Sequence, residues 1–325
     1  MIESAIQQPP RVSLTTQRVS IKGRLRDVTA LRVDDVVVTL REGIITVGTV
    51  FDAYWLQRTT LPDLPRLIEQ LRIAEARPDL LIHTQRVPDT TPRFDYFFDW
   101  DNVAAVPIST HEHWMQRQIS AASRRNVRMS EKKGVVVQAR AFDEQYIRGI
   151  MAIANESPVR AGRRYWHYGK DFATVEAEQG TYRDRSTFLG AYVGDEQVGY
   201  LKLVWDADTA AIMQIVSKMG HRDRRPNNAL LSEAVRLCAQ RGVRHLLYER
   251  FVYGKKDDSS LTRFKRENGF VRMDVPRYYV PLTVKGRLAL RIGLHKSVKE
   301  RLPQWATAPL IAFRDRWLTR RFAQK

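Results

Sequence analysis

One cysteine, Cys238, occurs in 325 residues. No disulfide can form within the chain, and the thiol's place among apolar residues at helical spacing favours a buried, inert group over a nucleophile. No run of about 18 apolar residues occurs, which excludes a membrane-spanning helix. The opening MIESAIQQPP lacks the basic-then-apolar pattern of a secretion signal, so a cytoplasmic location is expected. His167 has no second histidine or carboxylate at ligand spacing, so no metal is expected. Acids are the other shortage: 36 Asp and Glu face 54 Lys and Arg, a net charge of +18 with pI near 10.2. That excess predicts nucleic acid, a phosphorylated or pyrophosphate substrate, or an anionic bilayer as partner, without choosing among them.

What is present is a substantial apolar fraction, 43%, enough for one large or two modest cores. The clearest pattern runs over 213–253. Pro226 opens a helix with Leu230, Ala234, Leu237 and Cys238 on one face and Gly242 as its stop, and β-rich runs at 212–216 and 243–248 flank it. This strand–helix–strand crossover places the helix N-terminus beside Arg222, Arg224 and Arg225, which outlines an anion site.

Taken in order, 1–25 is polar and basic and is assigned no fixed structure. Segments 35–40 and 44–50 around Arg41-Glu42-Gly43 read as a hairpin, 64–76 as a helix, 80–84 and 103–108 as strands, so 26–110 is a small α/β half. A basic linker helix follows over 111–134, carrying Arg117, Arg124, Arg125, Arg128, Lys132 and Lys133. These cations suit either a solvated face or a polyanion-binding surface. The stretch 135–284 then gives strand 135–140, helix 143–155, a loop, helix 171–179, strands 187–193, 198–205 and 210–217, the central crossover, helix 259–267 and a last strand pair from Phe270.

Strand, two helices, three antiparallel strands, helix, strand, helix and strand, ending in SLTRFKRENGF, is a succession that resembles the GNAT acyltransferase fold. With the preceding α/β half and the linker RRNVRMSEKKGVVV, the chain is also similar to the Fem-type aminoacyl and peptidyl transferases, which pair two GNAT-like halves. The expected fold is therefore α/β, with a GNAT-like mixed, mostly antiparallel sheet flanked by helices, preceded by a smaller, partial GNAT-like half. The resemblance implies an N-acyltransferase that takes an acyl group from acyl-coenzyme A or an aminoacyl group from charged tRNA. The amine acceptor would carry phosphate or sugar. A catalytically inert GNAT-like module that binds RNA or a membrane-linked precursor is the other reading.

GNAT enzymes use a glycine-rich turn before the main helix to approach the coenzyme A pyrophosphate. Here that turn is Arg222-Asp223-Arg224-Arg225-Pro226-Asn227-Asn228, so the close backbone cradle is missing. Arg222, Arg224 and Arg225 are left to grip a donor phosphate, with Asn227 or Asn228 capping the helix. On the acceptor side, loop 155–171 crowds Arg160, Arg163, Arg164, His167 and Tyr168, with cations suited to phosphate and ring faces to sugar. A basic surface loop with tucked-in aromatics is the plainer alternative. The resemblance implies a carboxylate base and a tyrosine acid: Glu249 and Tyr253 are the candidates, Glu156 is the rival base, and Lys265 could face the same cleft. Residues 285–325 form a basic helical tail with eleven Lys and Arg against two acids, +9. It suits peripheral contact with anionic membrane at its inner face, RNA, or docking on the protein itself.

Overall fold

The computed structural model describes residues 12–21, 24–51, 63–160, 162–254 and 259–295. Residues 1–11 and 296–325, and with them most of the expected tail, lie outside that set.

Where no fixed structure was expected, β1 (Val12–Ile21) and β2 (Arg24–Val33) pair over ten residues each. Alternation in VSLTTQRVSI meets alternation in RLRDVTALRV, a period-two match that the polar composition of the segment hides. The expected hairpin is β3 (Val36–Arg41) and β4 (Val47–Val50), with Arg41 opposite Val47. Helix α1 (Leu64–Ile73) buries Leu64, Leu67, Ile68 and Leu71 and crosses to β5 (Leu80–Thr84), which runs parallel to β4. Strand β6 (Phe98–Pro107) follows, longer than its apolar core of 103–106 suggested.

The linker is not one helix. A short turn, α2 (His111–His113), runs into a π-helical stretch and stops at extended Ile119. Ser120 then caps α3 (Ala121–Lys132) by accepting from the Ser123 N–H at 3.0 Å. The break lets the backbone N–H of Ser120 bond the Glu267 carbonyl, 2.9 Å away, a tertiary contact invisible to helical periodicity.

Strand β7 (Val136–Arg140), α4 (Glu144–Ala154) and α5 (Phe172–Gln179) lie as expected, the two helices capped by Asp143 and Asp171. Between these helices the loop contains a minimal ribbon, β8 (Val159–Arg160) with β9 (Arg163–Arg164). The meander is β10 (Ser186–Val193), β11 (Glu196–Asp206) and β12 (Thr209–Ser217). Helix α6 (Pro226–Gln240) returns the chain to β13 (His245–Leu247), parallel to β12. After α7 (Ser260–Glu267) comes β14 (Val271–Pro281), a single strand where a pair was expected, and then α8 (Val284–Arg291).

Twelve strands form one sheet in the order β1-β2-β3-β4-β5-β14-β6-β13-β12-β11-β10-β7. The centre is palindromic. Each half contributes a parallel pair closed by a helix, β4/β5 with α1 and β12/β13 with α6, and each lends its last strand to the other half. Strand β14 pairs with β5, and β6 pairs with β13, while β14 and β6 also pair with each other. The largest core, around α6 and strands β10–β13, includes Trp114, Val127 and Phe270 from outside that unit, so the linker is part of the packing.

Candidate active site

Strands β12 and β13 are hydrogen-bonded neighbours only from Thr209 to Ala211, opposite His245 to Leu247. Beyond that, β12 continues along β11 while the other chain follows β6, where the Tyr248 N–H bonds the Ala104 carbonyl at 2.9 Å and the Ala104 N–H bonds the Glu249 carbonyl at 2.8 Å. The two strands therefore splay. A cleft of about 470 Å³ fills the wedge, with Met213 to Val216 on one wall, Tyr248 and Glu249 on the other, and Gln179 at the end of α5 and Tyr182 just past it completing the lining. Arg18 and Leu25 of the first hairpin reach the same cleft, so both halves contribute to it.

The β12 wall carries a bulge. Lys202 faces Gln214 and Leu203 faces Ile212, which leaves Met213 without a partner on β11. Among the described residues, the segment beyond Ala211 thus presents an unpaired strand edge to the cleft, the backbone arrangement that holds an amide-bearing or carbonyl ligand by strand-like hydrogen bonds.

Across the wedge, Glu249 sits at φ 47°, a left-handed conformation uncommon for a glutamate. Its carboxylate accepts the hydroxyl hydrogen of Tyr253. Desolvation by its surroundings and the adjacent negative charge of Glu249 push the Tyr253 phenol far above its ordinary value, so it stays protonated. Lys265 lies fully buried below them, its Nζ 2.6 Å from the Arg250 carbonyl and 4.4 and 5.1 Å from the ring centroids of Tyr248 and Tyr253. Desolvation lowers Lys265 to about 8 against the upward pull of Glu249.

The rival base has another job. Glu156 accepts from the N–H groups of Met219 and of Gly220, the latter at 2.8 Å, and from Arg160 at 3.3 Å, so it ties down the connection between β12 and α6 and does not line the cleft. Arg160 is likewise engaged: it donates to the Ser217 carbonyl at 2.7 Å and stacks on Tyr165 at 4.7 Å. Of the expected acceptor residues, His167 lines the cleft, next to Tyr165 and Glu178. Arg163, Arg164 and Tyr168 are exposed on the loop outside it, Arg164 lying over Trp166.

None of the expected donor residues lines the cleft either. Arg225 takes φ 57° immediately before Pro226, and no side chain caps α6. Arg224 donates to the Lys133 carbonyl at 2.6 Å, and Asn228 is buried with its amide on Asn268 at 3.1 Å. Asn227 has a buried amide oxygen without a partner, while Arg222 and Arg225 are exposed. Among the described residues no three His, Cys, Asp or Glu side chains converge on a point that could hold a metal ion.

Two buried lysines leave a trace in the sequence. Lys202 interrupts the apolar run VGYLKLVW, and Lys265 falls at the position on α7 that, with Thr262, faces inward. A lone cation on a buried face signals a bound carbonyl cluster or a site. Lys202 proves to be the former: its Nζ donates to the carbonyls of Gln179, at 2.7 Å, and Thr181, and burial lowers it to about 7.

Comparison with known proteins supports this topology. Residues 116–266 match the family model described as an acetyltransferase (GNAT) domain. The solved structure of FemX is similar over 86% of this chain and 90% of its own, with a TM-score of 0.56 at 10% identity. The C-terminal domain of a putative lysylphosphatidylglycerol synthetase from Agrobacterium fabrum is similar over 79% and 84%, with a TM-score of 0.52 at 11% identity. No curated protein matches by sequence. Residues 116–266 are therefore similar to a GNAT domain, and the chain shares its overall fold with FemX.

Proposed function

We propose that this protein is an N-acyltransferase whose reaction takes place in the wedge between β12 and β13. The observation that carries this reading is Glu249 at the cleft wall, opposite a strand edge unpaired among the described residues, with its carboxylate bonded to Tyr253 just outside the lining. A donor carbonyl lies along the β12 edge, and a neutral amine attacks it. Glu249 takes the amine proton as the C–N bond forms, Tyr253 gives its hydrogen to the leaving oxygen or sulfur as that bond breaks, and the proton on Glu249 passes to the phenolate. Their hydrogen bond closes the cycle with no covalent intermediate on the enzyme.

The donor is a thioester of coenzyme A or an aminoacyl ester of tRNA. The turn before α6 favours the second: it offers Arg225 where a close backbone approach needs glycine. The cationic face of α3 favours it too. Arg125, Arg128 and Lys132 lie one turn apart in an exposed row, opposite the buried Ser123, Val127 and Ser130, and the end of that row meets the α6 turn through the 2.8 Å ion pair of Lys133 with Asp223. On the acceptor, a phosphate or sugar group would meet Arg163, Arg164 and the exposed rings of Trp166 and Tyr168. An RNA-binding module without turnover is the reading left if the chemistry fails.

Single-turnover assays test the proposal: aminoacyl-tRNA and acyl-coenzyme A are each incubated with a panel of amines bearing phosphate or sugar. Amine-dependent discharge of either donor, lost in Glu249→Gln, is expected. Tight binding of a donor with no discharge beyond the spontaneous rate would leave the binding module.

A further inference from the structure

Among the described residues, helix α8 is bound to the protein along one side only. Gly286 packs so closely on the backbone of Asp79 that an added Cβ would stand 1.9 Å from the Asp79 carbonyl oxygen, and Ala289, Leu290 and Leu294 join a cluster with Ile45, Ile82 and Tyr279. Thr283 caps the helix and donates to the Asp79 carboxylate at 2.7 Å, so the helix is fixed in orientation.

The opposite side is the unusual one. Val284, Leu288 and Ile292, at i, i+4 and i+8, are 72, 59 and 61% exposed. Arg287 and Arg291 border this stripe on one side and Lys285 on the other, and the helix contains no acid. Lys285 reaches Asp79 at 3.5 Å, whereas Arg287 and Arg291 have no ion pair among the described residues. Ile44, 81% exposed on the loop before β4, stands next to Ile45 of the cluster under α8, and half-exposed Phe97 packs at 5.5 Å on His295 just past the helix end.

We infer that α8 is an interfacial anchor that lays Val284, Leu288 and Ile292 into the surface of an anionic bilayer, with Arg287, Arg291 and Lys285 on the headgroups. Charge complementarity selects the occupant. Cations flanking an apolar stripe on both sides match a surface whose outer layer is negative and whose next layer is hydrocarbon. A nucleic acid would leave the apolar stripe in water, and a self-association face would set the arginines of two copies against each other. The inference does not depend on the acyl-transfer reading, since docking is measured without a donor or an acceptor.

The test is flotation of the full-length chain with vesicles of phosphatidylcholine, alone or with about 30% phosphatidylglycerol. Wild-type protein is expected to float with the anionic vesicles only, and less at raised salt. Leu288→Asp/Ile292→Asp should weaken the association at least about tenfold and Arg287→Ala/Arg291→Ala by a smaller factor. Because all four side chains are exposed, melting curves should not move. Wild-type protein that ignores anionic vesicles overturns the inference, and so does binding that both double variants retain. A dimer in gel filtration that Leu288→Asp/Ile292→Asp breaks, with vesicle binding unaffected, makes the stripe a contact between copies and overturns it as well.

Discussion

Tyr253 donates its hydroxyl hydrogen to the carboxylate of Glu249, four residues earlier, and the backbone of Glu249 takes a left-handed turn at the place where the chain leaves β13. Four residues apart outside a helix, these two groups meet only because that turn redirects the chain. The strain belongs at a site where the position of one carboxylate matters.

The pair should separate binding from turnover. Glu249→Gln and Tyr253→Phe are each expected to lower kcat by about 10²–10⁴-fold, the usual contribution of a positioned acid or base, with donor affinity little changed. Since Tyr253 stays protonated well above its ordinary range, the wild-type rate should show no alkaline decline from that group below about pH 10. Equal loss of binding and turnover in both variants would mean that they support the cleft without acting on protons.

Glu156 should behave as a structural residue. Replacing it by alanine leaves the Met219 and Gly220 N–H groups and the Arg160 guanidinium short of an acceptor, so a stability loss of about 1–3 kcal/mol is expected in denaturant titration. The pH profile of the folded fraction should keep its shape. A profile that loses its acidic limb while stability holds would return Glu156 to the role of base.

These two carboxylates show what the sequence could and could not tell. The place of Glu249 at the cleft wall was legible because it closes a β-rich run just after the clearest helix, and the helix starts at Asp143, Asp171 and Ser259 fall where expected, each with a capping side chain. The place of Glu156 was not legible, because its backbone partners lie more than sixty residues away, in a turn whose donors no pattern announces. The same limit hid the strand exchange. Residues 271–281 read plainly as a strand, yet their place between β5 and β6 depends on long-range pairing that local propensity does not encode. The tail differs again: its charge left membrane, RNA and docking on the protein open for 285–325, and at its start Gly286 and Ala289 sit in a packed interface, so cutting after Thr283 would uncover Ile45, Ile82 and Tyr279.

Lys202 gives a pH signature. A lysine lowered to about 7 in the fold and near 10.4 unfolded binds fewer protons folded, so its burial penalty is fully present below pH 7 and is relieved as pH rises. Stability should therefore climb from pH 7 towards 9, by roughly 2 kcal/mol from this group. Above about pH 9 the sign turns. Burial raises Cys238 to about 12, and Tyr146, Tyr200 and Tyr248 are raised as well, so these groups hold protons that the unfolded chain gives up. Lys202→Met should flatten the climb between pH 7 and 8 and leave above pH 8 the part that Lys265, lowered to about 8, supplies, although it also leaves the Gln179 and Thr181 carbonyls unpartnered and lowers stability overall. A rise of the same slope in the variant would assign it to another group.

The exchanged strands make the sharpest prediction about folding. A chain ending at Lys133 keeps β1 to β6 but lacks β14, so β5 and β6 lose the neighbour between them and each exposes an edge. A chain starting at Gly134 keeps β7 to β14 but lacks β6, which leaves β13 unpaired on one side and β14 without either partner. It also lacks Trp114 and Val127, which fill the largest core. Neither piece expressed alone should give a cooperative melt, whereas the two co-expressed should co-purify as one complex with a single transition. A second piece that melts cooperatively on its own would show that the transferase half is complete without the exchange, and that β6 is an addition to its sheet instead of a part of it.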